Sequence, residues 1–506
     1  MFKPRGGRPM ANRDFNLPAP VAGIDAFSAL MGVGQGHSLL LENWFPRTDA
    51  LVTRPGYVSH VTGFSAPVKR LHAYASQTGA EELYATTDSG IYNATSPGAV
   101  GAAVIALTNG YTIATSINTG AGFGYLLVVN GVDTLKQYDG AAWTSVATFG
   151  VTATSVYSYA EVYRQRVFLI KKNSLEIEYL AVNSIAGVTT NYPLGAVLRQ
   201  GGYLVAMATW TIDGGTGPED QLAVITNKGE VAVYSGADPA TWTFRGTYFI
   251  GRPLGAKCMM KYGGDLLVLT ETGVTPLSKA VQSTSIDRAQ LFSQNIRAIF
   301  NAAAQSYSNN PGWEMLIDPA VPMVLVNIPS TPVKKQAVMH SQTGAWTLYS
   351  GWDASCFARV AGQTYFGTTS AIYRVSGNSD LGANITCTLL QAPTRFSYGQ
   401  NKRVQLVRPF MSTTGSFSYN MGFASDFADP RKKTYLVKGP PAVAALWGTG
   451  LFGSALWSGN QELQQDWQTV PDQFSLWKSL YLQVVTNNGK VTYFGSDILY
   501  TPGGHF

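Results

Sequence analysis

LAVITNKGEVAVYSG, residues 222–236, reads as an apolar strand, a tight turn at Asn-Lys-Gly, and a second apolar strand. The same plan recurs as LYATTDSGIY (83–92), with its turn at Asp-Ser-Gly, and as LLVLTETGVTPLS (266–278), with its turn at Glu-Thr-Gly. VFLIKKNSLEIEYL (167–180) and YFGTTSAIYRVSG (365–377) are looser versions. Positions 83, 126, 167, 222 and 266 step along the chain at 43, 41, 55 and 44 residues. A second device repeats at twice that interval: a small residue and then Trp-Thr, in YDGAAWTSV, ADPATWTF and QTGAWTLY. It puts Trp143, Trp242 and Trp346 99 and 104 residues apart. Units of about fifty residues built from hairpins suit four-stranded propeller blades, in which a large ring packs one blade on the next. The expected fold is all-β: a β-propeller of about six to eight blades, with an array of β-sandwiches as the competing arrangement.

One helix interrupts the strands. Ser285 is a suitable N-cap, and Ala289, Phe292, Ile296, Ile299 and Ala303 follow at helical spacing before Asn309, Asn310, Pro311 and Gly312 stop it. Beyond about Leu381 the rhythm is lost. There VVTNNGKVTYFG (484–495) reads as a hairpin, because Asn-Gly suits positive φ. The expected organisation is an N-terminal arm and docking segment at 1–62, a propeller at 63–380 with the helical insertion near 285–305, and a C-terminal β platform domain at 381–506.

Composition narrows the function. Only 13% of the 506 residues are charged, about half the ~25% usual in soluble domains. No Asp, Glu, Lys or Arg occurs between Ser89 and Val132 or between Gly439 and Gln461. Depletion of charge marks interface cores. Trp447, Phe452 and Trp457 stand among glycines in the second of these stretches, and we expect them to meet a neighbouring subunit or partner. The net charge of +6 is modest, and the dense basic cluster is Lys3, Arg5, Arg8 and Arg13. It reads as a flexible docking arm; a DNA-binding tail is the alternative.

Sequence signals for chemistry are weak. Cys258, Cys356 and Cys387 have no CxxC spacing and read as buried thiols. The five histidines share no metal-ligand spacing, and GVGQGH (32–37) lacks the strand–helix setting of a phosphate loop. No zinc, other metal, cofactor or catalytic residue is expected. The first twenty residues have no apolar signal region, and the longest apolar run, residues 99–107, is too short to span a bilayer, so neither secretion nor a membrane span is expected. An enzymatic rival is a propeller glycosidase, which needs two carboxylates at the ring centre. Glu161, Glu176, Glu178, Asp213, Glu219 and Asp220 are the acids near strand ends. The loop 213–220 reads either as a solvated turn or as a calcium cradle. SQTGAW (341–346) echoes a sialidase Asp-box but has Thr343 in the Asp position.

Several long stretches resemble the tail nozzle, or tail tubular stabilisation protein, of short-tailed bacteriophages. They are FNLPAPVAGIDA (15–26), LLLENWFPRTDALVTRPGYVSH (39–60), GGYLVAMATWTIDGGTGPEDQLAVIT (201–226), IGRPLGAKCMMKYGGDLLVLTETGVTPLSKA (250–280) and QAVMHSQTGAWTLYSGWDASCF (336–357), with the ALW repeat and the closing YFGSDILYTPGG (493–504). The resemblance implies a virion component: a homo-oligomeric ring, six subunits in number, below the portal and its head–tail adaptor, assembled in the host cytoplasm. It implies a central channel through which double-stranded DNA passes without sequence-specific binding during genome delivery, and tail fibres or spikes docked outside. It carries no catalytic residue. The alternative function is a carbohydrate-binding or glycosidase-like propeller at the tail tip.

Overall fold

The computed structural model describes residues 12–503 except 77–78, 80, 121–123, 214–217, 283–290, 397–398, 438–461 and 487. The fold is all-β. The chain forms two compact units, one of residues 1–57, 338–351 and 376–506, the other of residues 58–337 and 352–375. This differs from the division expected in chain order. Residues 1–57 group with the C-terminal region, because Arg13–Pro18 pairs antiparallel with Val491–Pro502.

The second unit is a succession of small antiparallel meanders. Sheet A is Arg70–Ala75, Glu81–Thr87 and Gly90–Asn93. Sheet B is Ile113–Asn118, Gly124–Val129, Leu135–Tyr138 and Trp143–Val146, and sheet C is Tyr157–Tyr163, Arg166–Lys171, Glu176–Tyr179 and Thr190–Pro193. Sheet D follows with Leu204–Asp213, Pro218–Thr226, Glu230–Ser235 and Thr243–Phe249, then sheet E with Met259–Tyr262, Asp265–Thr270 and Gly273–Pro276. Sheet F opens in this unit with Glu314–Asp318 and Met323–Ile328; its meander continues along the chain through Lys335–His340 and Trp346–Tyr349, residues that from Val338 on are counted in the first unit. Sheet G is Cys356–Val360, Gln363–Gly367 and Ala371–Val375, extended by Tyr57–Thr62 from far earlier in the chain. The first strands of sheets B to G lie against one another in chain order, and that of G lies against that of A. His72 Nε2 and Thr112 Oγ1, 2.6 Å apart, join the first strand of A to the residue before that of B.

The hairpins read in the sequence are the second and third strands of sheets A, C, D, E and G, and positions 83, 126, 167, 222 and 266 all fall in second strands of A to E. The Asn227-Lys228-Gly229 turn needs glycine twice over. Gly229 has φ +87°, and a Cβ there would lie 2.4 Å from the carbonyl carbon of Gly251.

The three repeated tryptophans stand at equivalent points. Trp143 and Trp346 open the fourth strands of the B and F meanders, and Trp242 directly precedes the fourth strand of D. Two of them pack back onto the preceding sheet: Trp143 edge-on to Tyr84 of sheet A at 5.0 Å, and Trp242 stacked on Phe168 of sheet C at 5.3 Å. Their burial is unequal, since Trp346 is fully buried and the other two are half-buried. Trp346→Ala is accordingly expected to cost ~3–5 kcal/mol and Trp143→Ala or Trp242→Ala about half that, measured by urea unfolding. Equal costs at all three would show that burial does not set the effect.

The expected helix is shifted. Helix Arg297–Tyr307 follows a 3-10 turn at Gln294–Ile296, and Leu277–Gln282 forms a shorter helix. Ser285 and Ala289 lie outside the described residues. The buried face is Ile296, Phe300 and Ala304; Ile299 and Ala303 are only partly covered. Phe300 and Ala304 are themselves an i, i+4 pair, so the larger phenyl ring, one residue on from Ile299, takes the inward position.

In the first unit one sheet runs in the order Trp346–Tyr349, Ser38–Glu42, Thr386–Gln391, Lys478–Thr486, Phe417–Ser425, Arg431–Val437. The other centres on Val491–Pro502, which pairs with Arg13–Pro18, Leu51–Thr53 and Lys402–Thr413. The segment 484–495 is not a hairpin. Its two strands, Lys478–Thr486 and Val491–Pro502, belong to these different sheets. Asn488 does adopt positive φ (60°), but each flanking strand is claimed by partners remote in sequence.

A buried arginine ties this unit together. Arg54 donates Nε to Asn43 Oδ1 (2.9 Å), Nη1 and Nη2 to the two Asp380 carboxylate oxygens (2.9 and 2.7 Å), and Nη2 also to the Ser350 carbonyl (2.7 Å). Gly351 makes room for it: φ is +93°, and a Cβ there would stand 2.5 Å from Arg54 Nη2. Among the described residues no helix is long and apolar enough to cross a membrane.

Candidate functional site

The first strands of sheets A, B, C and G surround a cavity of about 270 Å³ whose lining includes His72, Ile113, Tyr159, Lys257 and Arg359. Strand alternation aims every second side chain of these strands inward. Glu314, the first residue of sheet F, is almost fully buried and is the ionic hub. Its Oε2 lies 3.2 Å from Arg70 Nη1 and 3.4 Å from Lys257 Nζ, and its Oε1 accepts from the Phe357 amide. Asp318, at the other end of the same strand, receives Arg359 Nε at 3.4 Å and the Thr364 hydroxyl at 2.7 Å. Three cations thus meet two carboxylates, with each carboxylate also taking a neutral donor. A buried carboxylate is tolerable only with such partners.

His72 is buried in this positive surrounding. Burial, and then the charges of Lys257 and Arg70, push its pKa well below the ordinary histidine value, so it is neutral at pH 7. Glu161, on the same strand as Tyr159 and two residues along, is pushed up to about 7 by burial, with Lys261 opposing. A carboxyl that holds its proton more tightly when folded stabilises the chain below the unfolded value, 4.5, and that contribution is lost as pH rises through about 7. The stability advantage of Glu161→Gln over the parent should therefore grow by about 2 kcal/mol between pH 5 and pH 8, read from urea midpoints at the two pH values. An unchanged difference would show that Glu161 titrates as a solvated carboxyl.

The other acids proposed from sequence do not gather here. Glu176 and Glu178 lie on the third strand of sheet C, both paired with Lys171, and Glu178 also accepts from Tyr157 and Thr189. Asp220 pairs with Arg164 at 3.3 Å and accepts from Thr211 at 2.7 Å, while Asp213 and Glu219 flank the undescribed residues 214–217. Among the described residues no group of three His, Cys, Asp or Glu is placed to hold a metal ion. The three cysteines are free and buried, and burial pushes each thiol up to about 12. GVGQGH is a loop leading into strand Ser38–Glu42, with no helix after it.

Of the contact residues proposed from sequence, Trp447, Phe452, Trp457, Lys3, Arg5 and Arg8 lie outside the described residues. Arg13 is exposed at the start of strand Arg13–Pro18, with Tyr500 as its register partner. The Arg70–Glu314–Lys257 cluster was not found from sequence. Its members are up to 244 residues apart, and the faint signal is a charged residue at or beside the apolar first strand of a meander.

No protein-family model matches the chain, and no curated protein does. Among solved structures it is similar to the extracellular domain of a hybrid two-component system of B. thetaiotaomicron (TM-score 0.43, 10% identity, 84% of this chain and 57% of that one). It is also similar to Raptor of Chaetomium thermophilum (TM-score 0.40, 11% identity, 64% of this chain and 29% of that one). The chain thus spans little more than half of the first of these proteins and under a third of the second.

Proposed function

We propose that the chain is a structural component of a short-tailed phage tail: a ring-forming nozzle subunit, hexameric, below the portal and adaptor, that retains and conducts the genome and docks fibres or spikes. In this reading the seven meanders A to G are the blades of a propeller, and the last blade is completed by Tyr57–Thr62. The observation that supports it most is where the stretches resembling tail nozzles fall. They contain fully buried residues: Trp44 and Arg54 in 39–60, Cys258 in 250–280, Trp346 and Trp352 in 336–357, and Tyr493 in 493–504. Residues that fix the interior are what a scaffold keeps in order along its chain. The ionic groups facing the central cavity are likewise tied to one another, which suits a support better than a substrate cleft.

Imaging the purified protein at micromolar concentration, alone and with the tail adaptor, tests this. Sixfold rings that co-assemble with adaptor are the expected result. A chain that stays monomeric under both conditions and releases sugar from host capsule or lipopolysaccharide overturns it in favour of a tail-tip glycosidase.

A further inference from the structure

In the first unit, Met31, Val33, Gln35, Pro393, Arg395, Phe396 and Trp477 line an open pocket of about 530 Å³. That volume lies within the range of sites that take a small ligand or one to two side chains. Its walls are mainly apolar, and its rim adds exposed apolar groups: Met31 is 65% exposed, Phe27 and Leu30 share its loop, and Phe427 contacts the Trp477 ring. Large apolar groups grouped in this way mark a surface meant to be covered.

Among the described residues, Arg395 is the single ionic group lining the pocket. Its guanidinium lies over the Trp477 ring at 4.2 Å from the centroid. Its Nε is buried and has no acceptor among the described residues. The neighbouring cations are committed elsewhere. Lys402 Nζ donates to the Arg395 carbonyl, and Lys478 Nζ donates to both oxygens of Asp472 at 2.6 and 2.7 Å. A guanidinium set over an aromatic ring, with its Nε lacking an acceptor, is placed for a charge-assisted contact with one carboxylate.

From this geometry we infer that the pocket is a docking site for an acidic peptide segment of another protein, in which a Glu or Asp meets Arg395 and an adjacent apolar side chain enters between Met31, Val33 and Phe396. A nucleic-acid backbone asks for several cations in register, and among the described residues lining this pocket there is one. A second copy of this chain brings like charge to the face: this unit holds sixteen Lys and Arg against eleven Asp and Glu, five of the six net positive charges. The site does not depend on the nozzle reading.

The probes are acetyl-Gly-Phe-Glu-Gly-amide and its Phe-Gln counterpart, added to full-length protein carrying 13C-methyl methionine, with the Met31 signal assigned through Met31→Leu. The Glu peptide should shift the Met31 methyl saturably, and the Gln peptide should bind at least about fivefold more weakly. Arg395→Gln should bring the Glu peptide to the Gln level, and Arg395→Lys should fall between; an unchanged melting temperature shows each variant folded. Equal affinity for the two peptides, no saturable shift up to about 10 mM, or no effect of Arg395→Gln overturns the proposal. So does a Met31 shift produced instead by concentrating the protein alone, by a short DNA duplex, or by phosphatidylglycerol vesicles.

Discussion

Arg54→Leu should lower the stability of the unit built from residues 1–57, 338–351 and 376–506 by ~3–5 kcal/mol, because it takes the guanidinium donors from Asp380 and from the Ser350 and Pro55 carbonyls, while Asn43 Oδ1 keeps the Ser350 amide. The guanidinium fills a site that is 1% exposed, whereas the Asp380 side chain is 14% exposed, so water can reach the orphaned carboxylate in part and the lower half of that range is expected. Arg54→Lys keeps the charge but cannot span both Asp380 oxygens and three further acceptors at once, and about half the loss should remain. Hydrogen exchange at the Arg54 amide, which donates to the Asn43 carbonyl, reports on this unit without requiring the whole chain to unfold in one step. A change under ~1 kcal/mol would show that the junction tolerates an apolar side chain and that Arg54 is not its tie.

Asp472→Ala should have an effect of the same size for a different reason. Asp472 and Lys478 are both fully enclosed, and the carboxylate takes the Lys478 ammonium, the Ser425 hydroxyl and the Val404 amide. Removing it strands a buried ammonium, expected to cost ~3–5 kcal/mol, while Asp472→Leu with Lys478→Met should be much milder because no charge is left inside. The pH dependence carries a sign. Burial already lowers the lysine below 10.5, with Asp472 opposing, so losing the carboxylate drives it lower. The folded variant then binds fewer protons than its unfolded chain, and stability must rise with pH toward the unfolded lysine value. Urea titrations of Asp472→Leu, Lys478→Met and the double at pH 6 and pH 9 give the coupling. A double variant as damaged as Asp472→Ala would place the loss in packing rather than in unpaired charge.

The sequence exposed what is local. Hairpins with Asp-Ser-Gly, Asn-Lys-Gly and Glu-Thr-Gly turns were legible because turn chemistry and strand alternation act over ten residues, and the spaced Trp-Thr pairs marked equivalent strands because each sheet repeats one plan. The same local signal misled at Asn487-Asn488-Gly489. A hairpin is expected there, but which strand each arm joins is decided by Thr386–Gln391 and Lys402–Thr413, far away in the chain. The helix began at Arg297 rather than at a plausible cap, since burial of Phe300 outweighed the stripe drawn through Ile299. Neither ionic cluster was visible. Arg54 with Asp380, and Arg70 with Glu314, are brought together only by tertiary closure, and nothing beside Arg395 in the sequence announces that Trp477 will lie beneath it.

The pairing of Arg13–Pro18 with Val491–Pro502, and of Tyr57–Thr62 beside Ala371–Val375, sets a timetable for biosynthesis. At translation speeds of about 5–20 residues per second, the earliest strand emerges on the order of a minute before its partner exists. Throughout that interval the ribosome carries a chain with an open β edge and the unburied side chain of Leu17. A chain that stops before Val491 would leave Arg13–Pro18, Leu51–Thr53 and Lys402–Thr413 without the strand they share, an open set of edges that a protease can attack. Synthesis of Val491–Pro502 thereby acts as a checkpoint in folding, since three strands made earlier wait for this one before their sheet can close.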